Sequence, residues 1–451
     1  MSSRQSSPDV VVVGGGPAGS AAARLLASWG HRVRLMTREP DRARGLAESL
    51  PPSTHKLLAE IGVLDAIERA AFYRSTGNTV FWASREPRAE TFDGVGFQVL
   101  RPDFDALMLD EARRAGVDVQ VSSFTDRVSA SIVLDCSGRA GVIGRRYRIA
   151  QPEHRTVALV GVWRRDDAWP IADPTHTVVE TFDEGWAWSV PIAVDVRHVG
   201  VMIDRGAPYG DVLAATHAMR ALVSGATLER TFACDASLYR SDRYAGSGFF
   251  LVGDAGSFID PLSSFGVKKA LASAWMAAVA AHTCLVDASR ADAAIAFFDR
   301  WERGVYDEHL RRSRDFARAA VSAHPHPFWT RRADVHVDAA DTADERSVRD
   351  AFERIKDADE IAFAMASDVR VEAQPVVRGR EIVLEPAFVG RPALRFAADV
   401  DLVALARVAC RHRRVPDVYD AYCRASAPAP LPNVMSGLSL LVARGILHAR
   451  T

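Results

Sequence analysis

The chain has 451 residues, 48% of them hydrophobic and 25% charged, with a formal net charge of −1. That length accommodates two or three domains of ordinary size, and the composition is that of a folded globular protein. A balance this close to neutral supplies no basic field for a nucleic-acid partner, so none is expected.

The first nine residues, MSSRQSSPD, contain no apolar run, so no signal peptide is expected. The stretch Asp9–Gly19, DVVVVGGGPAG, follows at once. Four valines predict a buried strand, and SAAARLLASWG predicts a helix behind the glycines. Strand, G-x-G-x-x-G and helix in this order point to a dinucleotide site. Gly14 allows the tight turn, Gly16 lets backbone approach a pyrophosphate, and Gly19 lets helix and strand pack closely. Pro17 and Ala18 open the helix, whose free N–H groups and positive dipole end suit phosphate. HRVRLMTRE supplies the second strand of the β–α–β unit. The acidic residue expected at its end to hold a ribose hydroxyl is replaced by Thr37, with Glu39 two residues later. Either Glu39 reaches the ribose or the contact is lost.

Next come a Pro-interrupted loop and helix within SLPPSTHKLLAEIGVLDAIERA, then an aromatic-containing strand, STGNTVFWAS. RPDFDALMLDEARRAGV reads as a helix, and SIVLDCSGRAG as a strand ending in a polar turn at Asp135–Gly141. Between about 150 and 245 the short strands TVALVGVWRR, HTVVETF, GWAWSVPI and RHVGVMID predict an antiparallel sheet. GFFLVGD is a further apolar strand that delivers Asp254, placed to accept hydrogen bonds from a sugar-chain hydroxyl. Asp260-Pro261-Leu262 makes a turn. Gly266 and Val267 open a long helix whose N-terminus can stabilise negative charge on a reduced flavin ring. An ordinary strand–turn–helix with a capping aspartate explains the same residues equally well.

The apolar stretch ALASAWMAAVAAHTCLV in that helix is shorter than the ~20 residues of a membrane span and reads as a buried helix. Residues beyond about 288 read as mainly helical, interrupted by a strand pair in RVEAQPVVRGREIVLEPAFV, and HPHPFW at 324–329 reads as a loop. The five cysteines form no C-x-x-C pair, so no metal site is expected. Reduced thiols suit a cytoplasmic protein. The only lysines are Lys56, Lys268, Lys269 and Lys356. Lys268 and Lys269 are expected to face solvent or an anionic partner, the alternative being that one approaches the flavin.

With GGGPAG, the LRPDFD segment and the GD…DPL…G segment in this order, the chain resembles the FAD-dependent monooxygenase superfamily of the para-hydroxybenzoate hydroxylase type. Within it the likeness is to the branch holding flavin-dependent tryptophan halogenases, over roughly residues 8–290. Gly185-Trp186-Ala187-Trp188-Ser189-Val190-Pro191 looks like the W-x-W-x-I-P motif of that branch. Alternation places Trp186 and Trp188 on one face of a strand, where they wall a cavity or pack in a sheet core. The resemblance implies an α/β fold in which a Rossmann-like FAD-binding domain (8–150 and 246–290) is interwoven with an antiparallel substrate sheet (70–100 and 151–245). A mainly helical C-terminal region (291–451) follows. It implies FAD in extended form, with Gly14, Gly16 and Gly19 at the pyrophosphate, Asp254 at the ribityl chain and Arg101 near the flavin or pyrophosphate.

In that branch a lysine shortly before the aromatic strand handles hypohalous acid. Arg74 stands at the matching position, and arginine, which keeps its proton, is a poor substitute. Hydroxylation of an electron-rich aromatic substrate through a flavin hydroperoxide is therefore the expected reaction. Halogenation, oxidation of tryptophan in a partner protein, and reduction of isoprenoid-like chains are the alternatives. His55, Arg74, Trp82, Trp186 and Trp188 are candidates to line the pocket. No second G-x-G-x-x-G follows a strand, so electrons are expected from NAD(P)H docking transiently or from a partner flavin reductase. The substrate is expected to be a small molecule, free or bound to a carrier or protein.

Overall fold

The computed structural model describes residues 7–38, 45–122, 130–204, 206–263, 265–337, 345–390 and 394–450. It divides into two compact units. One comprises residues 1–286 and 298–337, the other 287–297 and 338–451.

The first unit is built on two sheets. Six strands form the nucleotide-binding sheet, in the order Ala245–Gly246, Phe249–Leu251, Ile132–Asp135, Val10–Val13, Val33–Thr37 and Asp118–Val121. All neighbours run parallel except the first pair. Val10–Val13 sits near its centre and is fully buried on both faces, which is why it reads as an unbroken apolar run. The helix Pro17–Ser28 follows it directly and packs against the helix Gly266–Val286. The latter spans 21 residues, the long helix expected from Gly266 onward, and is the one helix among the described residues with the length and apolarity of a membrane span. Most of its apolar window is buried within the fold, with Ala274, Ala277, Ala278, Ala280 and Ala281 all closed off from solvent.

The second sheet has eight strands: Thr227–Asp235, Thr156–Arg164, Val196–Asp204, Gly185–Pro191, Thr177–Phe182, Tyr73–Phe81, Arg88–Leu100 and Ala47–Leu50. It is antiparallel except where Thr177–Phe182 runs parallel to Tyr73–Phe81. Its membership differs from the expected 70–100 and 151–245 at both ends. Ala47–Leu50 joins it from the nucleotide-binding segment, while Tyr239–Ser241 pairs instead with Arg148–Ala150. One face of this sheet is closed by the helices Tyr209–Ala215 and Ala218–Leu222 over Val178, Val199, Val201 and Ile203.

The expected boundary at 291 falls elsewhere. Ala291–Val321 is a single 31-residue helix, and its larger part, from Phe298, belongs to the first unit. The segment 324–329 is not a plain loop: the His326 ring accepts from the Phe328 N–H and caps a short helix, Pro327–Ala333. The second unit is less helical than its sequence suggests. It holds the expected strand pair as the hairpin Val371–Arg378 with Glu381–Phe388, a pairing of Ala362–Met365 with Leu447–Arg450, and helices around a core of Leu402, Leu405, Val418, Leu438 and Leu441.

Candidate functional site

A cleft of about 650 Å³ runs through the first unit, within the ordinary size range of cofactor and ligand sites. At one end it is floored by Gly14, Gly15, Gly16, Pro17 and Ala18. Gly14 has φ +109°, and a Cβ there would stand 2.3 Å from the Cys136 carbonyl oxygen. A Cβ on Gly19 would meet the Gly14 carbonyl oxygen at 1.8 Å. Both positions therefore exclude any side chain, which leaves bare backbone against the cleft. Gly16 caps the helix without a side-chain bond, Pro17 occupies its first turn, and no acidic residue lies there. The unpaired N–H groups and the positive end of the helix are left for an anion.

Asp135 fixes the wall beside the glycine turn. Its carboxylate accepts from the N–H groups of Ser137, Ile143 and Gly144 and from the Ser137 hydroxyl, holding the turn after its strand. Cys136, Ser137 and Gly138 thereby line the cleft. Thr37 also lines it; Glu39, the other candidate for the ribose, lies outside the described residues.

Arg101 opens the helix Arg101–Arg114 beside Gly16. Its guanidinium pairs with Asp105 at 3.0 and 3.1 Å and with Glu48 at 3.4 Å. Arg101, Glu48, Ser49, Asp254, Pro261, Gly266 and Val267 all border the same space. No acidic side chain occupies the first turn of the helix beginning at Gly266, and nothing stands within 4 Å of a Cβ built on Gly266. A bare glycine turn, a helix N-terminus, a cation, an acceptor at Asp254 and a second open helix N-terminus follow one another along a single cleft. This sequence of groups fits FAD.

Beyond Gly266 the cleft meets the second sheet. Trp186 and Trp188 both line it, with ring centroids 5.1 Å apart and planes inclined at 42°. Thr177, Val179, Val190 and Met202 continue this face; Val179 lies directly across from Trp188 and Met202 across from Trp186. Phe258, Leu262 and Cys234 complete an apolar wall.

Three expected pocket residues stand elsewhere. Arg74 is exposed, its guanidinium 4.8 Å from the centre of the Phe97 ring. His55 rests against the same ring, and Trp82 packs edge-on to Phe316 and Trp329. None of the three borders the cleft. The lysine expectation is also corrected. Lys268 bonds to Ser53 at 3.0 Å, but Lys269 is buried and donates to the backbone oxygens of Gly253 and Ser257. Neither lines the cleft. Sequence patterning missed Lys269 because its carbonyl partners are exposed only by the shape of the turn they belong to. The described residues contain no cluster of metal-ligating side chains.

A nucleotide-binding sheet interwoven with a second sheet, and one cleft shared between them, make up an FAD-binding α/β fold. Residues 7–173 match the FAD-binding domain family, and residues 96–373, more than half of the chain, match the tryptophan halogenase family. The chain belongs to the tryptophan halogenase family. It is 30% identical over 345 residues to a tryptophan 2-halogenase of Chondromyces crocatus, covering 67% of this chain and 66% of that protein. The chain thus matches slightly less than two thirds of that relative's length. It is 26% identical to a 1H-pyrrole-2-carbonyl-[peptidyl-carrier protein] chlorinase of Pseudomonas fluorescens, over 60% of this chain and 74% of the other. The fold is that of CmlS, a flavin-dependent halogenase, with a TM-score of 0.79 over 98% of this chain and 96% of that one at 21% identity.

Proposed function

We propose that this chain is a flavin-dependent halogenase acting on an electron-rich aromatic ring, presented as a small molecule or on a carrier protein. The observation that carries this reading is the continuity of the cleft, from the glycine turn past Gly266 to the apolar wall of Trp186 and Trp188. The relatives support it, being named for halogenation of tryptophan and of a carrier-bound pyrrole. Bound FAD, once reduced, supplies the electrons that activate dioxygen. The chain's own residues bind and orient. Arg101 and the helix end at Gly16 hold the phosphates, Asp254 holds the polyol chain, and the tryptophan wall excludes water from the reacting ring.

The balance is one aromatic C–H, one halide, one proton, one dioxygen and one reduced FAD giving one C–halogen bond, one oxidised FAD and two waters. The four electrons that reduce dioxygen would come two from reduced FAD, once bound, and two from the halide, which would thereby become electrophilic. A separate NAD(P)H-dependent flavin reductase is proposed as the electron source.

One observation favours a second reading, hydroxylation: no lysine is among the residues lining the cleft. A single experiment separates the two. The purified protein is supplied with FAD, a flavin reductase, NADH and air, with tryptophan, pyrrole and phenol probes, with and without bromide. Bromide-dependent replacement of a ring hydrogen supports halogenation. Oxygen insertion that ignores halide overturns it and establishes hydroxylation. Failure of the protein to bind FAD overturns both.

A further inference from the structure

Asp254 owes its place to the turn Gly253–Ser257, and that turn is held from behind by three side chains outside the cleft lining. Gly253, at φ +63°, donates its N–H to the Ser273 hydroxyl at 2.7 Å. Because a backbone N–H can only donate, Ser273 must pass its own proton onward, and it donates to the Glu302 carboxylate. On the other side of the same residue, the Gly253 carbonyl accepts from Lys269 Nζ at 3.1 Å. Lys269 also donates to the Ser257 carbonyl and lies 3.6 Å from the Asp254 carboxylate. Both ends of one peptide residue are thus gripped by buried polar groups: Lys269 is 3% exposed, and Ser273 and Glu302 are fully buried.

A core helix does not ordinarily retain a buried ammonium and carboxylate, because removing each from water is costly unless specific partners compensate. Here the partners of Lys269 are backbone carbonyls of the turn that presents Asp254, and the partner of Glu302 is the Ser273 hydroxyl that receives the Gly253 N–H. An apolar residue at 269 would leave the carbonyls without this donor, and one at 302 would leave the Ser273 proton without its acceptor. The two residues come from different helices, Gly266–Val286 and Ala291–Val321, so the turn is fixed relative to both.

We propose that Lys269, together with Ser273 and Glu302, forms a positioning clamp that sets Asp254 for the polyol chain of FAD. The clamp acts through Asp254 and the Gly253 peptide and touches no cofactor atom. The proposal rests on the reading of the cleft as an FAD site, and the test keeps the two apart.

FAD affinity is measured by flavin-fluorescence titration of apoprotein for wild type, K269M, K269R, D254N and K269M/D254N, with the melting temperature of each apoprotein recorded in parallel. K269M is expected to raise the Kd at least about tenfold, the equivalent of one charged hydrogen bond. K269R is expected to recover part of the loss. The double variant is expected to bind no worse than the weaker single variant, since both changes remove the same contact. Wild-type affinity in K269M, or additive losses in the double variant, overturns the clamp while leaving the FAD site intact. A wild-type protein that binds no FAD overturns the site itself. If K269M does not fold, S273A cuts the other side of the clamp with Lys269 in place and, paired with D254N, is judged by the same two criteria.

Discussion

Trp188 lies flat on the backbone of Gly200, its cross-strand partner. A Cβ at Gly200 would stand 2.2 Å from Cζ2 and 2.3 Å from Cη2 of the indole. The glycine gives the ring its seat. Trp188 is flanked on the other side by Val179, so an indole pushed off Gly200 has the cleft as its free direction.

G200A is therefore expected to tilt Trp188 into the cleft. Overpacking of this kind costs about 1–3 kcal/mol of stability, and the displaced ring shrinks the apolar end of the cleft and not the glycine-turn end. Substrate turnover should fall sharply while FAD affinity stays close to wild type. Melting temperature, FAD titration and product formation on the same preparation check the three parts. A G200A protein with lower FAD affinity and unchanged turnover would contradict this assignment of the two ends.

The glycine turn makes the opposite prediction. A methyl group on Gly19 would stand 1.8 Å from the Gly14 carbonyl oxygen, so the helix must move away from its strand. The N–H groups aimed into the cleft move with it. G19A is expected to lose about 3 kcal/mol or more of FAD binding, roughly a hundredfold in Kd. Equilibrium dialysis against FAD measures it directly.

Arg74 separates what sequence position suggests from what the fold does. Its guanidinium sits over Phe97 on an exposed surface, away from the cleft. An exposed cation–π contact contributes about 0.5–1 kcal/mol. R74A should cost no more stability than that, with FAD affinity and product formation retained. A large loss of turnover in R74A would restore it as a site residue.

These residues also show where sequence is legible. The glycine turn, Asp254 and the Trp186–Trp188 pair were visible because each depends on local geometry: a strand feeding a helix, or alternation along one strand. Gly200 was not, since its role depends on the register of the strand that carries Trp188. Lys269 read as a surface residue because its pattern neighbours on the helix say nothing about carbonyls arriving from residues 253 and 257. Arg74, His55 and Trp82 lie close in sequence to the cleft-bordering sheet, but their side chains stand outside the cleft. The C-terminal unit read as helical because its short strands pair across long sequence separations, Ala362–Met365 with Leu447–Arg450.

Acid stability depends in part on two histidines remote from the cleft, in addition to His309, which burial also pushes down to about 4. His154 is fully buried and neither ring nitrogen has a partner; burial, reinforced by the Arg332 charge, pushes its pKa down to about 3. His198 is 1% exposed, and burial with the Arg230 charge pushes it down to about 4. Both stay neutral in the folded chain while the unfolded chain protonates them near pH 6.5, so their contribution is lost as pH falls through that value. Each withdraws up to about 1.4 kcal/mol per pH unit. Glu302 works against them. Burial raises its pKa to about 7, so the folded state holds an extra proton between pH 7 and 4.5 and gains stability as pH falls through that window. One such group offsets one histidine, and the net loss from His154, His198 and Glu302 between pH 6.5 and 4.5 is up to about 1.4 kcal/mol per pH unit. Urea unfolding at pH 6.5, 5.5 and 4.5 should show the falling midpoint. H154F, which replaces an unpartnered ring by an apolar one of similar size, should flatten it, and E302Q should steepen it. Slopes that both variants leave unchanged would show that other groups govern the acid limb.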